Sequence, residues 1–305
     1  MKKTTEFKKL LHADEILLAP GVYDGITARL LQSMGFKTAT LTGAGISESR
    51  LGVPDVGIMG LYENLDQCRN IVNSVDIPLQ ADADTGYGNA VNVYYTVQAF
   101  ERIGVACVMI EDQVWPKRCG HLKGKQVIPA EEMVKKIEAA VAARKDPDFC
   151  IKARTDAAGV MGIEEAIRRA NLYADAGADL LFADALLSRE DIKRFVGEAN
   201  KPVAVNMGLG IRQRPTTPLI SPRELQQMGA AMVSYPRILS TAAVSGMRKA
   251  LEVLLESART GEVYDRPDLV VSFDELIRLM GFPEIQELEK KFLTEEVLKE
   301  KYQGR

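Results

Sequence analysis

A regular alternation of short apolar segments with longer amphipathic segments constrains the fold of this chain most. Eight short segments rich in apolar and β-branched residues are predicted to be strands: Ile16–Ala19, Thr38–Thr42, Pro78–Asp82, Ala106–Glu111, Phe149–Arg154, Ala178–Phe182, Pro202–Asn206 and Ala231–Tyr235. The segments between them are predicted to be helices: Tyr23–Met34, Leu61–Ser74, Val91–Ile103, Ala130–Ala143, Ile163–Ala176, Ser188–Ala199 and Pro222–Met228. Strands that alternate with helices of this length indicate βαβ units and a parallel sheet.

Eight such units in a chain of 305 residues favour a closed α/β barrel of the TIM type, (β/α)8, over an open doubly wound sheet. Several predicted helices end in a glycine that can supply a left-handed C-cap: Gly35, Gly104, Gly177 and Gly229. No Gly-x-Gly-x-x-Gly motif follows the first strand, which disfavours a dinucleotide-binding fold. We therefore predict a barrel core over residues 1–236. Residues 237–305 are predicted to form a C-terminal helical extension that completes the barrel and packs on a neighbouring subunit.

Composition narrows the class of function. The formal net charge is −3, so the chain offers no electrostatic footprint for nucleic acid or an anionic membrane, and neither is expected as a partner. No apolar run approaches the roughly 18 residues that span a bilayer, and the charged start of the sequence does not resemble a secretory signal. The four cysteines show no Cys-x-x-Cys spacing, so we expect a reducing, cytoplasmic environment.

Polar residues gather at the ends of the predicted strands, where a barrel enzyme carries its chemistry. Six strands end in such residues, which are expected to meet at one rim: Thr42, Gly43 and Ala44 after the second strand, Asp82 and Asp84 after the third, Glu111 after the fourth, Arg154 after the fifth, Asp184 after the sixth and Asn206 after the seventh. The small residues after the second strand let backbone N–H groups approach a substrate anion. Arg154 offers a planar fork for a substrate carboxylate, or else a salt bridge to Asp156.

Three of these acids, Asp82, Asp84 and Glu111, are a set of oxygen ligands suited to Mg²⁺ or Mn²⁺. The chain has only two histidines, His12 and His121, so a zinc site built from histidines is not expected. The alternative for the paired aspartates is capping of the next helix. The presence of a third acid, Glu111, favours a metal site over helix capping.

A basic loop, Lys117-Arg118-Cys119-Gly120-His121, follows the acidic end of the fourth strand. Nearby positive charge makes a thiolate more accessible at neutral pH, so Cys119 can give or take a proton beside a carbanion. The alternative is a surface loop with scattered charges, and the acidic strand end before it argues against that reading. The other cysteines lie within strand or helix patterns and are expected to be buried structural thiols: Cys68, Cys107 and Cys150.

These motifs resemble the isocitrate lyase/phosphoenolpyruvate mutase superfamily over most of the chain. The matching segments are Leu51-Gly52-Val53-Pro54-Asp55, Asp82-Ala83-Asp84-Thr85-Gly86-Tyr87-Gly88, Ile110-Glu111-Asp112-Gln113, Lys117-Arg118-Cys119-Gly120-His121 and Ala153-Arg154-Thr155-Asp156. The cysteine loop is similar to that of the carbon–carbon lyases that act on 2-methylisocitrate, isocitrate or 2,3-dimethylmalate. Members that handle phosphonates typically carry a different loop without this cysteine.

The resemblance implies a Mg²⁺-dependent retro-aldol cleavage of a substituted malate or isocitrate, a di- or tricarboxylate, to a 2-oxo acid and a carboxylic acid. Cys119 would protonate the carbanion, and Arg154 would stabilise the developing oxyanion. Lys117, Arg118 and His121 would tune the thiol and neutralise substrate carboxylates. Substrate contacts are implied for Thr42, Gly43, Ala44, Asp55, Arg118, Gly120, Asp184, Asn206 and Thr217. The resemblance also implies a homotetramer that exchanges its C-terminal helices between subunits.

Departures from the family pattern surround the substrate rather than the metal. Asp184 replaces the usual glutamate, and Thr40 stands where methylisocitrate lyases carry a tyrosine. The turn after the seventh strand is more basic than usual, so Arg212 or Arg214 is expected either to face solvent or to bind the distal carboxylate of the substrate. Other readings remain open: a phosphonomutase or phosphonopyruvate hydrolase, an oxaloacetate hydrolase or decarboxylase, and a non-catalytic barrel that binds dicarboxylates.

Overall fold

The computed structural model describes residues 1–120, 122, 124–208 and 217–302. Eight parallel strands close into a barrel in the order in which they occur along the chain. The strands are β1 (Leu17–Val22), β2 (Ala39–Leu41), β3 (Leu79–Asp82), β4 (Cys107–Glu111), β5 (Cys150–Thr155), β6 (Leu180–Ala183), β7 (Val203–Asn206) and β8 (Met232–Tyr235). The predicted (β/α)8 fold is confirmed.

Helices precede, connect and follow the strands. Those up to β8 are α1 (Lys3–Leu11), α2 (Gly25–Ser33), α3 (Gly43–Ile46), α4 (Leu61–Val72), α5 (Ala90–Arg102), α6 (Ala130–Ala143), α7 (Ala158–Met161), α8 (Ile163–Asp175), α9 (Arg189–Glu198) and α10 (Pro222–Gln227), with a π-helical turn at Ser47–Leu51. After β8 come α11 (Ile238–Thr260), α12 (Phe273–Leu279), α13 (Phe282–Phe292) and α14 (Glu295–Tyr302). No helix in the described part of the chain is both long and apolar enough to cross a membrane.

All eight predicted strands are present, and β1 differs most from its prediction. It runs beyond the predicted end because Gly21 and Val22 pair with Thr40 and Leu41 of β2. A Cβ atom on Gly21 would lie 2.1 Å from the carbonyl oxygen of Pro236, so a glycine is required where β1 passes the chain that leaves β8. This close approach helps to seal the barrel between its first and last strands.

The side chains of each strand alternate between two apolar clusters. In β4, Val108 and Ile110 pack against the surrounding helices, whereas Cys107 and Met109 fill the barrel interior. The cysteines expected to be structural are indeed buried thiols: Cys68, Cys107 and Cys150.

The N-terminal end of the barrel is covered by α1. Phe7 and Leu11 are only 0% and 4% exposed and belong to the interior cluster. The ammonium group of Lys3 donates a hydrogen bond of 2.7 Å to the carbonyl oxygen of Val75, just before β3, which ties the helix to that end of the barrel. Ligands therefore reach the interior from the other end, where the strands terminate.

The chain divides into two compact units, Met1–Ala242 and Ala243–Arg305. The division falls a few residues beyond the predicted boundary at 236. Many large apolar side chains of the second unit are exposed: Val244, Met247, Leu251, Leu254, Leu255, Phe273, Ile285, Leu288 and Phe292. The predicted exchange of these helices between subunits stays a prediction.

Candidate active site

The C-terminal mouth of the barrel collects the polar residues that follow the strands. Each comes directly after a residue of the outer apolar cluster, as Arg154 follows Ala153, so strand alternation turns it inward. The structure brings six predicted residues to this mouth in this way: Thr42, Asp82, Glu111, Arg154, Asp184 and Asn206. The eighth strand adds Ser234, which sequence reasoning missed.

Arg154 is the centre of a buried ion network. Its Nη1 lies 3.1 Å from Glu111 Oε2, its Nε 2.8 Å from Asp156 Oδ2, and its Nη2 2.8 Å from Asp184 Oδ2. Burial opposes the charge of Arg154, but Asp156 and Glu111 outweigh it and raise the pKa of the guanidinium well above its ordinary value. The salt bridge to Asp156, one of the two predicted alternatives, is present. A substrate carboxylate would therefore meet a guanidinium that three acids already hold in place.

Lys117 carries the second buried charge cluster. Its Nζ contacts Asp55 and lies 2.7 Å from Asp84 Oδ1. Burial opposes the charge of Lys117, but these two acids outweigh it and raise its pKa well above the ordinary value. Burial raises the pKa of Asp84 to about 7 even though Lys117 acts in the opposite direction. Asp55 thus acts as a partner of Lys117 in this structure.

The turn from Asp82 to Asp84 does not cap the next helix. Asp84 takes a left-handed backbone conformation, with a φ of 48°, and its backbone N–H donates a 3.0 Å hydrogen bond to Asp82 Oδ1. The cap of α5 is Asn89 instead, whose side chain accepts from the backbone N–H groups of Val91 and Asn92. Neither aspartate is therefore used to cap α5.

The small residues after β2 begin α3. The Thr42 hydroxyl accepts a hydrogen bond of 3.3 Å from the backbone N–H of Gly45, which caps this short helix. A Cβ atom on Gly43 would lie 2.9 Å from Asp82 Oδ2, so glycine lets the Asp82 carboxylate approach the main chain closely. Gly43 and Ala44 are buried beside that carboxylate.

The basic loop after β4 places Cys119 above the mouth. The backbone N–H of Cys119 donates a 3.0 Å hydrogen bond to the carbonyl oxygen of Asp55, the residue that also pairs with Lys117. Gln113 holds the start of the loop, because its side chain accepts from the Arg118 N–H at 3.0 Å and donates to the Arg118 carbonyl oxygen at 2.9 Å. The thiol is half-buried.

Lys125 and Gly120 hold the far side of the loop. The ammonium of Lys125 donates to the carbonyl oxygen of Gly120 and to Asp156 Oδ1, each at 2.8 Å. A Cβ atom on Gly120 would lie 1.6 Å from Asp184 Oδ2, so the loop can rest on the mouth only with glycine at this position. Burial opposes the charge of Asp156, but Arg154 and Lys125 outweigh it and lower its pKa.

Arg237 is a second residue that sequence reasoning missed. Its Nη2 lies 3.7 Å from Cys119 Sγ, and its Nη1 contacts Glu48. Burial opposes the charge of Arg237, but Cys119 and Glu48 outweigh it and raise its pKa. Arg237 therefore places a positive charge directly beside the sulfur of Cys119.

The predicted metal ligands fit a divalent cation in part. Glu111 is fully buried, and its Oε1 has no hydrogen-bond partner among the described residues. Burial raises the pKa of Glu111 well above its ordinary value. No group of three or more His, Cys, Asp or Glu side chains in the described ranges is placed to hold a metal directly. The Glu111 oxygen without a partner in the described ranges is the observation that fits a cation at this site.

Two predicted residues, His121 and Arg212, lie outside the described residues, as does Arg214. Thr217, the first described residue after that gap, is 7% exposed. The side chain of Asn206 faces the mouth from β7. The roles predicted for all these residues stay predictions.

The comparison with known families agrees with this geometry. Residues 7–255 match the family model described as phosphoenolpyruvate phosphomutase. The chain belongs to this family. It is 39% identical to the 2,3-dimethylmalate lyase of Eubacterium barkeri over 96% of its own length and 99% of that protein. It is 40% identical to the 2-methylisocitrate lyase of Aeropyrum pernix, over 88% of this chain and 85% of that protein.

A similar solved structure is an oxaloacetate acetylhydrolase in complex with the inhibitor 3,3-difluorooxalacetate. It superposes with a TM-score of 0.87 at 34% identity and covers 95% of this chain and 97% of that one. The predicted superfamily and the predicted class, a lyase of that superfamily, are confirmed at the level of the family. Members of this type are metal-dependent and act on small carboxylates.

Proposed function

We propose that this protein is a carbon–carbon lyase that cleaves a substituted malate- or isocitrate-type 2-hydroxy acid to a 2-oxo acid and a second carboxylic acid. The position of Cys119 carries the proposal. Its backbone is bonded to Asp55, and Asp55 is joined through Lys117 to Asp84 at the mouth. Binding alone would not require a thiol at this position, so the geometry favours catalysis over a silent dicarboxylate receptor.

We infer that Asp82, Asp84 and Glu111 hold Mg²⁺ or Mn²⁺, partly through water. The unpartnered Oε1 of the buried Glu111 supports this inference, since a cation would satisfy it. When bound, the ion would supply Lewis-acid polarisation of the hydroxyl and carboxylate oxygens of the substrate. Thr42, Gly43 and Ala44 would hold the part of the substrate that leaves as the 2-oxo acid.

Acid–base chemistry would then rest on the loop and the ion network. A base removes the proton of the substrate hydroxyl, the C–C bond breaks, and the carbanion of the departing carboxylic acid takes a proton from the thiol of Cys119. The neighbouring guanidinium of Arg237 would stabilise the thiolate that remains. Arg154, fixed by three acids, would present positive charge to the developing oxyanion without reorganisation. Lys117, Arg118 and His121 would neutralise substrate carboxylates.

We further propose a homotetramer in which the C-terminal helical extension, residues 237–305, packs on a neighbouring subunit. The exposed apolar side chains of the second compact unit support this, because packing on another subunit would bury them. We also infer a cytoplasmic location, since the four cysteines are free thiols.

A coupled assay for pyruvate and glyoxylate tests the proposed reaction. The wild-type protein should release a 2-oxo acid from at least one member of a panel of substituted malates and isocitrates. Chelation should abolish this release, and Mg²⁺ or Mn²⁺ should restore it. Cys119→Ser should keep the fold but lower kcat by roughly 10²-fold or more, the usual scale for a positioned acid–base group.

Two controls decide between the proposal and its rivals. Cys150→Ser removes a buried thiol at the start of β5, the end remote from the mouth, and should leave kcat close to the wild-type value. Oxaloacetate and phosphonopyruvate belong in the panel, because release of oxalate or of phosphate in place of C–C lyase products would favour a hydrolase. Full activity in excess chelator, or wild-type turnover by Cys119→Ser, would contradict the mechanism.

A further inference from the structure

The β7–β8 side of the mouth carries two polar side chains next to each other. Asn206 and Ser234 are register partners in the two strands, and the N–H of Met207 donates a 2.8 Å hydrogen bond to the carbonyl oxygen of Ser234. Their strand neighbours Val205 and Val233 belong to the outer cluster, so both side chains face the interior.

Both side chains have unused hydrogen-bonding capacity. Ser234 is 7% exposed, and neither its Oγ nor Asn206 Oδ1 has a hydrogen-bond partner among the described residues. On its other side Ser234 is in register with Ala19 of β1, which has no polar side chain to offer. A buried polar atom without a partner is costly, so two adjacent ones indicate a ligand that completes them.

Polar residues deeper in the barrel behave differently. Gln80 donates a 2.6 Å hydrogen bond to the hydroxyl of Thr40, and its Oε1 accepts from the ammonium of Lys152 at 3.4 Å. The interior therefore pairs its polar groups where no ligand can reach. The unpaired oxygens of Asn206 and Ser234 lie at the strand ends, where a ligand can.

The two free atoms define the group that fits them. Asn206 Oδ1 accepts a hydrogen bond, and the Ser234 hydroxyl can donate one or accept one. A hydroxyl on the ligand satisfies both, because it donates to Asn206 and accepts from Ser234. A methyl group of similar size satisfies neither and leaves both oxygens buried.

We propose that Asn206 and Ser234 form a hydroxyl-binding subsite, so that the substrate carries a hydroxylated substituent, rather than an alkyl one, where it faces β7 and β8. The inference rests on the proposed lyase function and narrows its substrate class. Ser234 is a specificity residue in this account. A site that hydrogen-bonds a substrate hydroxyl rejects the analogue without it, because its buried polar groups are then left unpaired.

Two malates that differ only in the substituent on carbon 3 test the subsite: tartrate, with a hydroxyl, and 3-methylmalate, with a methyl group. Their binding to the protein with Mg²⁺ is measured by calorimetry. Cleavage is followed in parallel as glyoxylate, released together with glycolate from tartrate and with propionate from 3-methylmalate. The wild-type protein should bind a tartrate isomer roughly tenfold to a hundredfold more tightly than 3-methylmalate.

Ser234→Ala should reduce this preference about tenfold and should strengthen the binding of 3-methylmalate, because the substitution removes an unpaired hydroxyl. Asn206→Ala should reduce the preference in the same direction. Thr38→Val is the matched control, since it removes a buried hydroxyl that donates to the carbonyl oxygen of Pro78 at the opposite end of the barrel. It should leave the preference as it is in the wild type.

The possible outcomes test the hydroxyl-binding subsite and the lyase reaction independently of each other. A preference for tartrate that depends on Ser234, with no glyoxylate formed from any malate, would support the subsite and overturn the lyase proposal. Cleavage of 3-methylmalate with a preference that Ser234→Ala and Asn206→Ala leave unchanged would overturn the subsite and leave the lyase standing. Equal binding of both acids by the wild type also overturns the subsite.

Discussion

The two sides of the barrel mouth are built on opposite principles. On the side formed by β3 to β6, buried charges pair with one another: Arg154 contacts three acids, and Lys117 contacts two. On the side formed by β7 and β8, the neutral side chains of Asn206 and Ser234 each have an oxygen without a hydrogen-bond partner in the part of the chain that the structure describes. The charged side is therefore held rigid by its own contacts, whereas the neutral side keeps its bonding capacity for a ligand. Substitutions on the charged side should therefore lower the free energy of unfolding more than substitutions on the neutral side.

The largest effect is expected at the centre of the charged side. Arg154→Met would leave Glu111, Asp156 and Asp184 as buried acids without their shared cation. Breaking a buried ion pair by removal of one partner costs about 3–5 kcal/mol, so the free energy of unfolding in urea should fall by that amount. Activity should fall with it.

The control is Arg168→Met. Arg168 makes two hydrogen bonds to Glu165 but its side chain is 51% exposed, so its loss should cost at most about 1 kcal/mol. If both substitutions lower the free energy of unfolding equally, burial does not determine the strength of the Arg154 network. The charged side would then not be more rigid than the neutral side for the reason given.

An intermediate effect is expected for Lys125→Met. This change removes the link between the Gly120 carbonyl oxygen and Asp156, but Asp156 keeps Arg154 as a partner. Hydrogen bonds to charged groups contribute about 1.5–3 kcal/mol, and the free energy of unfolding should fall within that range. Lys135→Met, which removes an exposed lysine paired with Glu138, is the matched control and should be close to neutral. A neutral Lys125→Met would show that the loop is not held through this side chain.

The smallest effect is expected on the neutral side. Ser234→Ala removes a hydroxyl without a partner in the described structure, so the free energy of unfolding without ligand should stay within about 0.5 kcal/mol or rise. Thr38→Val, which breaks a 2.8 Å hydrogen bond, should cost about 1 kcal/mol by comparison. A loss for Ser234→Ala as large as that for Thr38→Val would mean that the Ser234 hydroxyl is bonded within the protein.

Local patterns in the sequence predicted the strands and most of the mouth. Residues such as Glu111 and Arg154 end apolar segments of clear length, and a barrel brings such ends to one rim. Ser234 was missed because a single serine inside an apolar strand carries no functional signal of its own. The inward-facing position of Met232, two residues earlier, could have located it once the strand was assigned.

No pattern in the sequence could have identified Arg237 or Lys125 as residues of the site. Arg237 meets Cys119 and Glu48 across long stretches of chain, and only the closed barrel brings these residues together. Lys125 likewise reaches Asp156 from a loop whose path the sequence does not specify. Contacts of this kind depend on tertiary geometry, which hydrophobic periodicity does not encode.

The helix that covers the N-terminal end of the barrel has a kinetic consequence. Phe7 and Leu11 close that end, so the substrate and both products of the proposed cleavage would share the opening between the strand ends. The proposal therefore predicts that a product bound deeper in the barrel leaves after one bound nearer the opening. Each product should accordingly compete with the next substrate molecule for the same passage.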